Sequence, residues 1–231
     1  MKSIAERILS RPYREPTIQE ADDTRREKSR RNQLYAEYIG RRTRYSQCRL
    51  EQWKFSPDYQ TQQHSVVGGV REFVGELSKN RSEGVGALFY GPPGTGKDHL
   101  ATCIIRAACL DHGQTARFVN GVDWFGAIRD LMDDDRKSEA SLLAECSRPD
   151  WLVLSDPLPP IGNLTSFQAG MLYRLVDARN YEGKPTVVTV NVADGNEATA
   201  RMGAPTWDRL KEQAWIFPCA WPSFRKPARE F

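Results

Sequence analysis

The chain has 231 residues, 39% of them hydrophobic, and a formal net charge of +3. A core of that size supports one domain of roughly 150–180 residues plus an appendage. No run approaches about 18 apolar residues, and Met1-Lys2-Ser3-Ile4-Ala5-Glu6 leads into no apolar signal core, so a membrane-spanning or secreted chain is not expected.

The charge is unevenly spread. Residues 1–50 carry 13 Lys or Arg against 7 Asp or Glu, whereas the remainder carries 20 against 23. A basic arm (1–50) before a mildly acidic body (51–231) fits an acidic partner, nucleic acid or the acidic face of a protein; it equally fits a solvated tail. The five cysteines (Cys48, Cys103, Cys109, Cys146, Cys219) form no C-x-x-C pair and are joined by only three histidines. That disfavours structural zinc and fits a reducing cytoplasm, with Cys103 and Cys109 as core thiols.

In chain order, Ile18 to Tyr38 lacks Gly and Pro and reads as a helix, with Leu34, Tyr35 and Tyr38 along one side and Gly40 at its end. Thr43 to Tyr59 reads as irregular and aromatic. Val66, Val67, Val70, Phe73, Val74 and Leu77 recur at helical spacing, predicting an amphipathic helix over 64–79, and Ser82-Glu83-Gly84 predicts a turn.

Alternation follows. Strands are expected at Ala87–Tyr90, Ala116–Asn120, Trp151–Leu154 and Thr186–Val190. Helices are expected at Lys97–His112 with Gly113 as C-cap, at Trp124–Met132, at Ala140–Cys146 and at Phe167–Asn180. Strands alternating with helices predict an α/β fold with a parallel sheet covered on both faces.

Between the first strand and its helix lies Gly91-Pro92-Pro93-Gly94-Thr95-Gly96-Lys97. This is G-x-x-x-x-G-K in the strand–loop–helix context that makes the pattern a phosphate loop. Its glycines let backbone N–H groups turn inward around phosphate oxygens, the helix adds its positive end, and Lys97 reaches the outer phosphates. One position departs from the pattern. The residue after the lysine is normally Ser or Thr, whose hydroxyl ligates Mg²⁺; here it is Asp98.

The strand Trp151–Leu154 continues into Ser155-Asp156-Pro157, where an acidic residue normally holds the metal shell and the next orients the attacking water. In one register Ser155 takes the metal slot and Asp156 the water slot. In the other, Asp156 takes the metal slot and Pro157 leaves the water slot empty. The apolar count favours the first. Hydroxyl and carboxylate then stand in exchanged positions, Asp98 and Ser155, around one Mg²⁺. The competing reading is a nucleotide site in decay.

Taken together, residues 43–226 resemble the DnaC/IstB-like AAA+ ATPases. Gly91 to Ala101, including His99-Leu100-Ala101, is similar to the family's phosphate loop. Phe167 to Glu182 looks like the helix before its fourth core strand. Thr186 to Asn191 resembles the sensor 1 strand, Trp207-Asp208-Arg209-Leu210 the Asp-Arg-Leu box, and Trp221 to Arg225 the closing Ser-aromatic-Arg. Ala204-Pro205 departs from it where many members carry Glu-Arg.

The resemblance implies an AAA+ core binding ATP and Mg²⁺ at subunit interfaces of a homo-oligomer. It implies that Asn191 helps to position the lytic water, that Arg209 acts as an arginine finger in trans, and that His99 and Arg225 lie by the nucleotide. The function implied is a cytoplasmic helicase loader of DNA replication, with ATP, single-stranded DNA and a replicative helicase as partners. An IstB-like transposition helper working with a transposase is the alternative, as is a nucleotide-gated switch with little hydrolysis. Trp124 and Phe125 begin an apolar helix face and read as core rather than DNA platforms. Arg25-Arg26-Glu27-Lys28-Ser29-Arg30-Arg31 is the better partner surface.

Overall fold

The computed structural model describes residues 18–130 and 139–225. Residues 1–17 of the basic arm and the end of the helix expected to reach Met132 lie outside that set. The described elements begin with α1 (Ile18–Ile39), followed by short 3-10 turns at Thr43–Tyr45, Leu50–Gln52 and Pro57–Tyr59. Then come α2 (Gln60–Gly75), α3 (Leu77–Glu83), β1 (Gly86–Tyr90) and α4 (Lys97–Leu110). Next are β2 (Ala116–Asn120), α5 (Gly121–Asp130), α6 (Glu139–Ser147) and β3 (Trp151–Ser155). The chain continues with α7 (Ser166–Tyr181), β4 (Thr186–Val190), α8 (Gly195–Met202), α9 (Ala204–Lys211) and β5 (Ala214–Pro218).

The five strands form one parallel sheet in the order β2-β3-β4-β1-β5. β3 and β4 are buried along their whole length, as expected of continuous apolar, β-branched runs covered on both faces. Side chains alternate between two cores. Ala87, Phe89, Val153 and Val187 join the apolar faces of α1, α2 and α4, whereas Leu88, Leu152, Leu154 and Val188 join those of α5 to α9. Trp124 and Phe125 are buried in the second core.

The register aligns the strand ends on one side. Asn120 pairs with Ser155, Ser155 with Thr189, and Tyr90 with Val190. The loops leaving these carboxyl ends therefore meet over the centre of the sheet, where open α/β sheets bind ligands.

The structure first corrects two expected helices and, beyond them, adds three elements. The helix expected over 64–79 begins at Gln60 and breaks at Glu76, whose backbone leaves helical geometry (φ −98°, ψ 15°). The buried Asn80 amide donates to Phe73 O at 3.0 Å across the break, and α3 continues where a turn was expected. Secondly, β5, α8 and α9 were not foreseen. The helix expected to end at His112 ends at Leu110, while Gly113 (φ 64°) takes the capping role anticipated for it, its N–H bonding Cys109 O.

Candidate nucleotide site

The phosphate loop leaves β1 at Tyr90 and enters α4 at Lys97. Gly96 has φ 90°, a left-handed conformation that a side chain opposes, and a Cβ there would lie 2.6 Å from Trp53. A Cβ at Gly94 (φ 83°) would lie 2.0 Å from Ser223 Oγ. The loop is thus fixed from outside as well as by its own turns. Phe224 N–H donates to Gly94 O at 2.9 Å and Trp221 Nε1–H to Thr95 O at 2.9 Å. Trp53 meets Trp221, Phe224 and His99 edge-on.

Lys97 is buried, and its ammonium donates to Gly91 O (2.8 Å), Pro92 O (2.7 Å) and Thr95 Oγ1 (3.4 Å). Burial lowers its pKa, against the opposing pull of Asp156 and Asp98. A buried cation held by two carbonyls and a hydroxyl at a helix N-terminus is suited to an anionic ligand.

Asp98, on the first turn of α4, lies against the ends of β3 and β4. Ser155 Oγ donates to its two carboxylate oxygens at 3.0 and 3.1 Å, and Thr189 Oγ1 donates to Oδ1 at 2.8 Å. Asp98 and Ser155, 57 positions apart in sequence, are therefore direct neighbours. Thr189 is a third member that motif reading missed. Its signal was available in the strand pairing, since Thr189 is the register partner of Ser155.

Asp156 follows at the end of β3 with φ 48°, a strained conformation for a residue with a side chain. Its N–H bonds Thr189 O at 2.7 Å, and its carboxylate accepts from both the side-chain amide and the backbone N–H of Asn191. Burial raises the Asp156 pKa above the ordinary 3.8 despite those bonds and Lys97.

These groups face one cleft of about 410 Å³, which Arg44, Tyr45, Asn120, His99 and Arg225 also line. Arg44 and Tyr45 come from a segment whose irregularity offered no spacing to read. His99 is held by Cys48 Sγ (3.3 Å) and Arg49 O (3.3 Å), and burial lowers its pKa. Arg209 is not brought to the cleft. On α9 it pairs with Asp177 of α7 and Glu212, which raise its pKa.

The donor set suits a small hard cation. Asp98, Ser155, Thr189 and Asp156 present oxygens only. Among the described residues no cluster of three or more His, Cys, Asp or Glu could hold a metal, so a cation here would draw further ligands from phosphate oxygens and water.

A five-stranded parallel sheet in this order, with a phosphate loop opposite an acidic strand end and a polar residue closing β4, defines a P-loop nucleotide-binding fold of the AAA+ class. The crystal structure of the DnaC helicase loader is similar to it with a TM-score of 0.66 and 23% identity, covering 76% of this chain and 98% of that one. The chain belongs to the family described as IstB-like ATP binding protein, which matches residues 26–230.

Among curated relatives, the replicative helicase loader DnaC of Escherichia coli (strain K12) is 25% identical over 224 residues, 95% of this chain and 86% of that protein. A putative insertion sequence ATP-binding protein of Sinorhizobium fredii (strain NBRC 101917 / NGR234) is 30% identical over 63% of this chain and 48% of that protein. No helix among the described residues is long and apolar enough to cross a membrane.

Proposed function

We propose that this chain is a cytoplasmic helicase loader of DNA replication, which binds ATP with Mg²⁺ and couples nucleotide state to single-stranded DNA and a replicative helicase. The observation that carries the nucleotide part is the convergence of Lys97, Asp98, Ser155, Asp156 and Asn191 on one cleft. The loader part is supported by relatedness to replicative helicase loaders over 95% of the chain.

In this reading the backbone of Gly91 to Gly96 cradles the phosphates and Lys97 turns from the loop carbonyls to the outer phosphate oxygens. Asp98, Ser155 and Asp156 would hold the metal, with hydroxyl and carboxylate in exchanged places. A bound Mg²⁺ would supply positive charge to the phosphoryl oxygens. Asp156, held by Asn191, orients the attacking water. His99 and Arg225 border the nucleotide. Arg209 serves a neighbouring subunit of a homo-oligomer after leaving Asp177 and Glu212.

Basic residues of segment 1–50 dock the macromolecular partner. Arg25, Arg26 and Lys28 are exposed on α1. A second reading, a transposition helper partnered by a transposase, is favoured by the insertion-sequence relative.

The test is steady-state ATP turnover of the full chain with and without single-stranded DNA, beside capture of purified replicative helicase or transposase. Turnover that depends on Lys97, with helicase capture, supports the loader; transposase capture supports the second reading. ATP binding without turnover makes the site a switch.

A further inference from the structure

Arg201, on α8, is outside every motif of the site, yet its side chain joins three segments around it. Nε donates to Gly162 O at 3.0 Å, Nη2 to Pro159 O, and Nη1 to both Asn191 O (3.3 Å) and Glu197 Oε1 (3.2 Å). The side chain is only 16% exposed. Glu197 is itself fixed, because its other oxygen accepts Ala193 N–H at 2.7 Å. Arg201 O accepts Leu164 N–H at 2.8 Å, so main chain and side chain grip the same loop.

That loop leaves Asp156 and runs through Pro157, Leu158, Pro159, Pro160 and Ile161. The three prolines make it stiff, and buried Leu158 roots it in the second core. Its tip, Ile161, is 91% exposed. The contacts close a ring: Asp156 leads into the loop, the loop carbonyls bind Arg201, Arg201 binds Asn191 O, and Asn191 binds the Asp156 carboxylate. A planar guanidinium reaches several carbonyls from one fixed position, which a lysine ammonium on a flexible stem does not.

We infer that Arg201 is a positioning residue for the Asp156–Asn191 pair, and that through it the loop carrying Ile161 sets the geometry of that pair. This rests on reading the cleft as a nucleotide site. Arg201 touches neither the phosphate loop nor Asp98, so nucleotide affinity and water orientation separate in a variant.

The experiment compares the full chain with Arg201→Ala, Arg201→Lys and Asn191→Ala, with Lys97→Ala as the binding control. Arg201→Ala is expected to keep affinity for a fluorescent ATP analogue within about threefold and to lower kcat by about 10- to 100-fold with little change in KM, the scale of a misplacement near 1 Å. Arg201→Lys regains part of the rate. Adding Arg201→Ala to Asn191→Ala lowers it no further, since both act through one pair. Unchanged kcat, a raised KM at constant kcat, or equal losses in the Ala and Lys variants that follow a lowered melting temperature would each overturn the inference.

If the wild type binds ATP through Lys97 without turnover, amide hydrogen exchange supplies the readout. Nucleotide must then alter exchange over residues 158–164 in the wild type and not in Arg201→Ala; the same response in both overturns it. Absence of Lys97-dependent ATP binding sinks the nucleotide reading itself, and this inference with it.

Discussion

The proposed exchange of hydroxyl and carboxylate between Asp98 and Ser155 is tested by a double-mutant cycle. Ser155→Asp places a second carboxylate where a hydroxyl now sits 3.0 and 3.1 Å from the Asp98 oxygens. Two unit charges about 4 Å apart at an effective dielectric of about 20 repel by about 4 kcal/mol. Asp98→Thr takes away the acceptor shared by two buried hydroxyls, Ser155 and Thr189. A buried donor left unpaired costs about 1–3 kcal/mol, and the single hydroxyl that replaces the carboxylate can accept from only part of the pair. In the double variant a carboxylate again lies between two hydroxyls and the net charge is restored. The coupling energy should therefore reach at least about 1.5 kcal/mol, about tenfold in the Kd of ATP with Mg²⁺. Titration calorimetry with a non-hydrolysed ATP analogue measures it, and thermal melts without ligand give the same cycle from the fold. Losses that add within about 0.5 kcal/mol in both assays refute a shared site.

Other perturbations test other parts of the structure. Gly96→Ala sets a Cβ 2.6 Å from Trp53 at φ 90°, so both the melting temperature and nucleotide affinity should fall; unchanged values would show that the loop does not need this conformation. Arg179 is wholly buried and donates to Thr186 Oγ1 and to the carbonyls of Cys146, Ser147, Pro149, Asp150 and Pro185. Arg179→Met strands several of these acceptors and should cost at least about 3 kcal/mol in a denaturant titration. Asp156 has a pKa raised in the fold by burial, so its ionisation favours the unfolded chain, and the stability gained by protonation is lost as pH rises through the folded pKa. The melting temperature of the wild type should accordingly carry a fall with rising pH through the folded pKa of Asp156 that Asp156→Asn lacks; the same pH profile in both contradicts the sign.

The central strands and the phosphate loop were legible because their signals are local. β-branched runs such as Thr186–Val190 and a glycine pattern beside a lysine need no distant contact to be read. β5 was missed although Trp215-Ile216-Phe217 is apolar, because the run is short and its identity as a strand comes from pairing with β1. The break at Glu76 was invisible because the apolar spacing carries through it from Phe73 and Val74 to Leu77. At the site, Asp98 and Ser155 were found by their departure from a rule. Thr189 follows no rule and becomes a partner only through strand register. Arg201 lies further from reach still: its acceptors are mostly backbone carbonyls of other segments, and a carbonyl has no sequence signature.

The charge of the N-terminal segment shows a related limit. Counting places seven consecutive residues, Arg25 to Arg31, on a partner surface, but the fold divides them. Arg31 donates to the carbonyls of Leu110 and Asp111 and Arg30 to that of Gly113, at the C-terminal end of α4. Cations there satisfy carbonyls without intrahelical partners and complement the helix dipole. Glu27 binds both arginines, and its carboxyl is held down at about 2 by them. Further along α1, Tyr35, Tyr38 and Ile39 enter the core. The helix that α1 caps at one end begins, at the other, with Lys97 and Asp98. The helix that carries the outward basic residues thus packs on the same buried helix that the phosphate loop enters, through Arg30 and Arg31 at its far end and Tyr35, Tyr38 and Ile39 along its side. Part of the basic character caps the C-terminal end of α4, and only the outward part, Arg25, Arg26 and Lys28, stays exposed.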